Sequence, residues 1–330
     1  MALTAAQVVA QYGTDFRQGI ITMDKLIAPL YDVTPFDELF TPLETDDTII
    51  DRVMWQATGR FQKYQRAFLP LGGIDFVPNT IRLANIMCET TVYPKELVNT
   101  ALDFLVQKTN NPVDAPVLAI HLVNVLQDAL NDFHEVATYK GVDVPIVVGT
   151  AGTSGGVFNG VGEQIRLAKL TGAGIPKPHT NALGAVPTDP EQFVDYVHQY
   201  YDELPDKIKA RTKKIACDHA FILRYKAGLE AKQLQYLYTT QGVGQAMNTE
   251  KKIKLAHREC ELVGSFDMAG KNKLWSTIER NAVKAMKNSN NLENWNVTLS
   301  VGGKEVNATK DFWIGYGFYN WDWVWDNGEV

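Results

Sequence analysis

The chain has 330 residues, 45% of them hydrophobic and 21% charged, which describes a folded protein with material for one large or two ordinary domains. Its formal net charge of −6 argues against a nucleic-acid binder held by a basic surface, and no apolar run approaches the ~20 residues a membrane helix needs. Three cysteines, Cys88, Cys217 and Cys260, lie far apart without metal-ligand spacing, so reduced, unlinked thiols and no metal or cofactor are expected.

Thr4 and Gln7 stand at capping-box spacing before a short helix over 5–11, ended by Gly13, and Phe16, Ile20, Met23 and Leu26 continue in helical rhythm towards Pro29. Residues 31–48, broken by Pro35 and Pro42 and rich in acids, read as an arm crossing a surface. Residues 49–69 suit either a helix or an extended strand; Pro70-Leu71-Gly72-Gly73 is a turn, and 74–78 and 81–92 alternate as strands do, with Ile86 and Cys88 in one phase. Two long strands joined by a glycine turn predict a projecting hairpin over 47–87 with exposed apolar side chains, Met54 among them. A short helix is expected over 94–105.

The centre of the chain is a helix over 115–139, roughly 35 Å at 1.5 Å per residue, capped by Asp114 and carrying Leu118, Leu122, Leu126, Phe133 and Val136 as its apolar stripe. Gly141 stops it. Residues 142–148 read as a short buried strand, 149–156 as a tight glycine loop, and 161–169 as a second helix. Further on, the spacing predicts a helix over 190–201, a strand over 214–217, a helix over 218–232 and strands near 252–262 and 273–277. A hairpin turns at Gly302-Gly303, and a last strand over 312–325 puts Trp321, Trp323 and Trp325 on one face.

The glycine loop lacks the lysine of a phosphate-binding loop: Gly155-Gly156 is followed by Val157 and Phe158, and the next lysine is Lys169. The six histidines show neither HxxxH nor HExxH spacing; His121 reads as a packed helix residue, and Asp218-His219 as a local pair with no nucleophile motif around it. GxSxG is absent. The tryptophans suit a core or an interface better than a base-stacking platform. No constellation supports catalysis.

The order of these features resembles the major capsid proteins of tailed bacteriophages, the Hong Kong 97-type fold. Ile74 to Pro78 after Gly72-Gly73 looks like the returning strand of that family's E-loop, and 115–141 like its spine helix. Gly149-Thr150-Ala151-Gly152-Thr153 with Phe158-Asn159-Gly160-Val161 is similar to its glycine loop and following helix, 215–226 to its axial strand and helix, Lys273-Leu274-Trp275 through Val283 to the returning run, and 295–325 to its terminal strands. The WxWxW ending departs from the pattern, and no isopeptide-forming pair is identified.

The resemblance implies an α+β fold with an N-terminal arm (1–46), an E-loop hairpin (47–87), a peripheral domain (88–190 and 291–330) and an inserted axial domain (191–290). It implies a non-enzymatic head subunit, made in a bacterial cytoplasm and resident in the virion capsid, that assembles into hexamers and pentamers around double-stranded DNA bound without sequence specificity. Scaffolding, portal and decoration proteins are the further partners it implies, with no membrane. The expected assembly contacts are Trp55, Phe61, Tyr64, Phe68, Leu71, Ile74 and Phe76. Two alternatives stand beside it: an enzyme holding a phosphate at 149–156, or another ring-forming phage component.

Overall fold

The computed structural model describes residues 36–57, 74–92, 117–171, 175–181, 183–232, 252–255, 258–287, 296–299 and 305–328. The expected helices over 5–11, 16–29 and 94–105, the cap at Asp114 and the glycine turns at 70–73 and 302–303 lie outside these residues. In chain order the elements are β1 (Thr41–Thr45), β2 (Ile49–Ala57), β3 (Ile74–Arg82), β4 (Ala84–Val92), α1 (Val117–Val136), α2 (Val161–Lys169), β5 (His179–Thr180), α3 (Pro190–Asp202) and α4 (Asp206–Lys209). There follow β6 (Lys214–Asp218), α5 (His219–Ala231), β7 (Lys252–Lys254), β8 (Glu261–Ser265), β9 (Trp275–Thr277), β10 (Ala282–Lys287), β11 (Asn296–Leu299), β12 (Val306–Phe318) and β13 (Val324–Asp326).

Two compact units result. The first takes its described residues from 84–134 and 287–314. In it β12 is antiparallel to both β4, with Lys310 opposite Cys88, and β11, with Val297 opposite Ala308. Along β12 the buried residues alternate as Val306, Ala308, Lys310, Phe312 and Ile314. Lys310 is the single charge in that row, and burial pulls its ammonium down to about 8. α1 buries Leu126 and Phe133 of the expected stripe and also Leu130, which was not part of it, whereas Val136, expected on the stripe, is 38% exposed.

The second unit takes its described residues from 33–83, 135–286 and 315–330. Its largest sheet runs β5-β13-β9-β6-β8-β7. β6 and β8 are parallel, and α5 lies in the crossover between them. α3 and α5 cover the core with Phe193, Val197, Phe221, Ile222 and Tyr225 over Ile215, Cys217 and Leu262. The two helices approach so closely at Gly228 that a Cβ there would stand 2.1 Å from the Pro190 carbonyl oxygen. Asp189 caps α3 by accepting from the Gln192 amide at 3.2 Å, with Pro190 in the first turn, and Asp218 caps α5 by accepting from the Ala220 amide at 3.0 Å.

Three expectations are corrected. The long helix ends at Val136, because the chain beyond it turns to meet α2: the amides of Val161 and Gly162 donate to the carbonyls of Thr138 (2.9 Å) and Tyr139 (3.0 Å). Residues 142–148 are not a buried strand. The Val142 and Val144 amides donate to Gly155 and Gly156 carbonyls, Pro145 supplies no donor, and the stretch stands in solvent. The tryptophans do not share one strand face. β12 stops at Phe318, Asn320 and Asn281 exchange hydrogen bonds (2.8 Å each way), and Trp321 and Trp323 fall in a 3-10 turn before β13 carries Trp325.

Candidate assembly surface

β2 and β3 form an antiparallel ribbon whose register sets Ile50 opposite Ile81, Met54 opposite Val77 and Trp55 opposite Phe76. Side chains alternate across such a ribbon, so its two faces are chemically separate. One face carries Ile50, Met54, Ile81 and Asn79, all buried, which corrects the expectation that Met54 is exposed. Asn79 fastens that face. Its side-chain amide donates to the carbonyls of Phe318 (2.6 Å) and Tyr319 (3.2 Å), and its side-chain oxygen accepts from Trp321 Nε1 at 3.2 Å. Arg52 lies over the Tyr319 ring, 5.4 Å from its centroid.

On the other face every residue with a described side chain is exposed: Ile49, Asp51, Val53, Phe76, Pro78, Thr80 and Arg82. Phe76 leaves 70% of its surface in water, Val53 57% and Ile49 48%. Of the seven expected contact residues, Phe76 is thus placed on an exposed face, beside the apolar Ile49, Val53 and Pro78 and the polar Asp51, Thr80 and Arg82. Trp55 and Ile74 are placed by ribbon register only, and Phe61, Tyr64, Phe68 and Leu71 lie outside the described residues. Ile49 and Val53 were not foreseen as contacts. The signal was present in Ile49-Ile50 and Val53-Met54, where both phases of one strand are apolar.

A second exposed apolar surface was missed, for the loop between α1 and α2. Ile146 is 93% exposed and Val148 96%, with Val142, Val144 and Val147 beside them. The base of this loop is rigidly set. Gly141 and Gly160 have backbone oxygens within 2.7 Å of where a Cβ would be, so both positions accept only glycine without rearrangement. Gly149, at φ +84°, turns the tip. Clusters of exposed apolar residues of this kind mark interaction sites.

The same geometry argues against a phosphate held by residues 149–156 together with the start of α2. An anion at the N-terminus of α2 would need its first amides, and those of Val161 and Gly162 are already donated to Thr138 and Tyr139. Each described histidine side chain lies against another side chain, His134 with its ring centroid 5.8 Å from that of Phe133. His179 Nε2 meets Asp322 at 2.9 Å and its ring stacks on Trp325, His198 Nε2 meets the Tyr225 hydroxyl at 2.8 Å, and His219 packs on Phe266. The His179 contact holds the Asp322 carboxyl below its usual range. Among the described residues no group of three or more His, Cys, Asp or Glu side chains is set to hold a metal, and no helix is long and apolar enough to cross a membrane.

No protein-family model and no curated protein matches the chain. Among solved structures it is similar to a chain of the satellite phage P4 procapsid including size determination (Sid) protein, at 10% identity and TM-score 0.51, over 91% of this chain and 88% of that one. It is likewise similar to a chain of the capsid of an empty GTA particle, at 12% identity and TM-score 0.50, over 89% of this chain and 88% of the other. At such identity the likeness is one of fold. The chain has the α+β, Hong Kong 97-type fold of phage capsid shells.

Proposed function

We propose that this chain is a major capsid subunit, a structural protein that self-assembles into the hexamers and pentamers of an icosahedral phage head. The observation that carries this reading is the likeness of fold to capsid chains over about nine-tenths of both partners. The two-faced ribbon supports it, since an apolar face left in water by its own chain is the surface a neighbouring copy would cover. Trp55, Phe61, Tyr64, Phe68, Leu71, Ile74 and Phe76 are proposed as that contact, joined by Ile49 and Val53. The division into arm (1–46), E-loop (47–87), peripheral domain (88–190 and 291–330) and axial domain (191–290) belongs to the same proposal. So do residence in the virion, synthesis in a bacterial cytoplasm, enclosure of double-stranded DNA without sequence readout, and help from scaffolding, portal or decoration proteins.

Electron microscopy of the purified protein tests the reading. Shells or capsomer rings are expected from the natural chain. The double variant Val53→Asp/Phe76→Asp, altered only on the solvent face, is expected to melt cooperatively within about 2 °C of it and to form neither, since surface changes away from packing usually stay within about 0.5 kcal/mol. Uniform globules from the natural chain, or unimpaired shells from the variant, would contradict the assignment of shell or of surface respectively.

A further inference from the structure

The segment Phe36-Asp37-Glu38-Leu39-Phe40 and the strand β1 behave, in their contacts, as a peptide seated in a receptor. Phe36 is fully buried and Phe40 nearly so, although they flank a single 3-10 turn, Asp37–Leu39. Their rings are 5.2 Å apart and enter an aromatic cage: Phe36 lies 6.3 Å from each of Tyr139, Trp275 and Tyr316, and Phe40 lies 5.1 Å from Tyr316, 6.0 Å from Trp275 and 6.4 Å from Phe318. The two acids between the rings are each taken by lysines from different strands. Lys284 of β10 donates to Asp37 at 2.7 Å, both side chains being nearly buried, and the Tyr316 hydroxyl donates to the same carboxylate at 3.1 Å. Lys252 of β7 pairs with the Glu38 carboxylate. Lys214 of β6 stands 3.6 Å from that carboxylate and donates to the Glu38 carbonyl at 2.9 Å. β1 then lies at the edge of the order β1-β10-β12, the arrangement in which an extended peptide adds a strand to a sheet. Immediately after it the chain is exposed at Asp46 and Asp47.

We infer that the second unit carries a peptide-binding site for an acidic segment with phenylalanines four residues apart and an extended tail, and that residues 36–45 are its ligand in cis, a strap held by side-chain recognition as well as by covalent connection. Aromatic anchors supply the apolar area, and three lysines from three strands read the two acids between them. This reasoning is independent of the shell reading. Its consequence is that residues 36–45 stay seated at this site even when the chain is cut behind them.

The test uses the full chain with a specific protease site inserted between Asp46 and Asp47. After cleavage the N-terminal fragment is expected to co-elute with the remainder on gel filtration, and the nicked protein is expected to exchange its fragment for a labelled synthetic peptide of residues 35–46, which the uncut chain excludes. Glu38→Lys and Lys252→Glu should each release the fragment at least tenfold faster, and the two together should restore part of the retention, since the swap rebuilds the pair with residue 252 while Lys214 still faces residue 38. A fragment that elutes alone from a folded remainder, single charge variants that retain it unchanged, or a double variant that releases it no more slowly than Glu38→Lys alone would overturn the inference. So would a nicked chain that no longer melts cooperatively, because the segment would then be an integral part of the core and not a ligand.

Discussion

The crossing of α3 and α5 offers a substitution whose sign depends on geometry alone. Gly228 lies inside α5, where alanine is worth about 1 kcal/mol more than glycine in an unobstructed helix. Here the added Cβ would meet the Pro190 carbonyl oxygen at 2.1 Å, its carbon at 2.7 Å and Val194 Cγ2 at 2.7 Å. Two of these obstacles are backbone atoms, so relief requires the helices to part by more than an ångström along a core that includes Phe193, Val197, Ile222 and Tyr225. Overpacking costs up to about 3 kcal/mol when backbone must move. Subtracting the propensity gain leaves Gly228→Ala destabilised by about 2 kcal/mol, a fall of about 4–8 °C in Tm for a body of this size. Ala227→Gly is the control, on the exposed face next door, and should lose about 1 kcal/mol through propensity alone. Thermal denaturation followed by circular dichroism reads both. A Gly228→Ala chain as stable as the natural one, or more so, would refute the close crossing.

Two further outcomes are expected. His198 is held at about 4, first by burial and then by the nearby Arg258, so the fold keeps it neutral while the unfolded chain protonates it near 6.5. Its contribution is therefore complete above pH 6.5 and lost as pH falls towards 4; urea titrations should show this slope, and His198→Gln should flatten it. Lys169 pairs with Asp326 at 2.5 Å, with the carboxylate 4% exposed and the lysine 28%, and Asp326 also accepts from Thr180 and Gly328. Lys169→Met strands the more buried charge and should cost about 3 kcal/mol, whereas Asp326→Asn, which leaves a lysine able to reach water, should cost less than half of that by chemical denaturation; the opposite order would contradict the asymmetry of burial.

What could be read in the sequence was what local chemistry decides. The expected helix at 161–169 matches α2, and that at 190–201 falls one residue short of α3, for which Asp189-Pro190-Glu191 states cap, first turn and acid in three residues. β6 was legible because a short apolar run there continues straight into the capping Asp218. The failures have non-local causes. An apolar run such as Val142 to Val148 looks alike whether its own chain buries it or a neighbour must, and only Pro145 hinted that no ladder would form. The strand expected through Trp325 is broken by the Asn281–Asn320 exchange, thirty-nine residues apart in sequence. The partners of the acids in 31–48 could not be read either, since the lysine that takes Asp37 is 247 positions away. For the site, alternation marked Phe76, but which phase of β3 would face water was settled by Asn79 reaching the chain beyond β12.

The alternation of the β2–β3 ribbon has a further consequence for how such a chain changes over generations. Register is enforced by one set of positions, Ile50, Met54, Ile81 and Asn79, because a slip of one residue would drive the opposite set into the core. The outward set, Ile49, Val53, Phe76 and Pro78, carries none of that duty. Substitutions there can alter the exposed surface without shifting the strand beneath, and inward substitutions can be tolerated only in ways that keep the pairing. The pairing of the ribbon and the chemistry of its exposed face are therefore written in interleaved but independent letters of the same two strands.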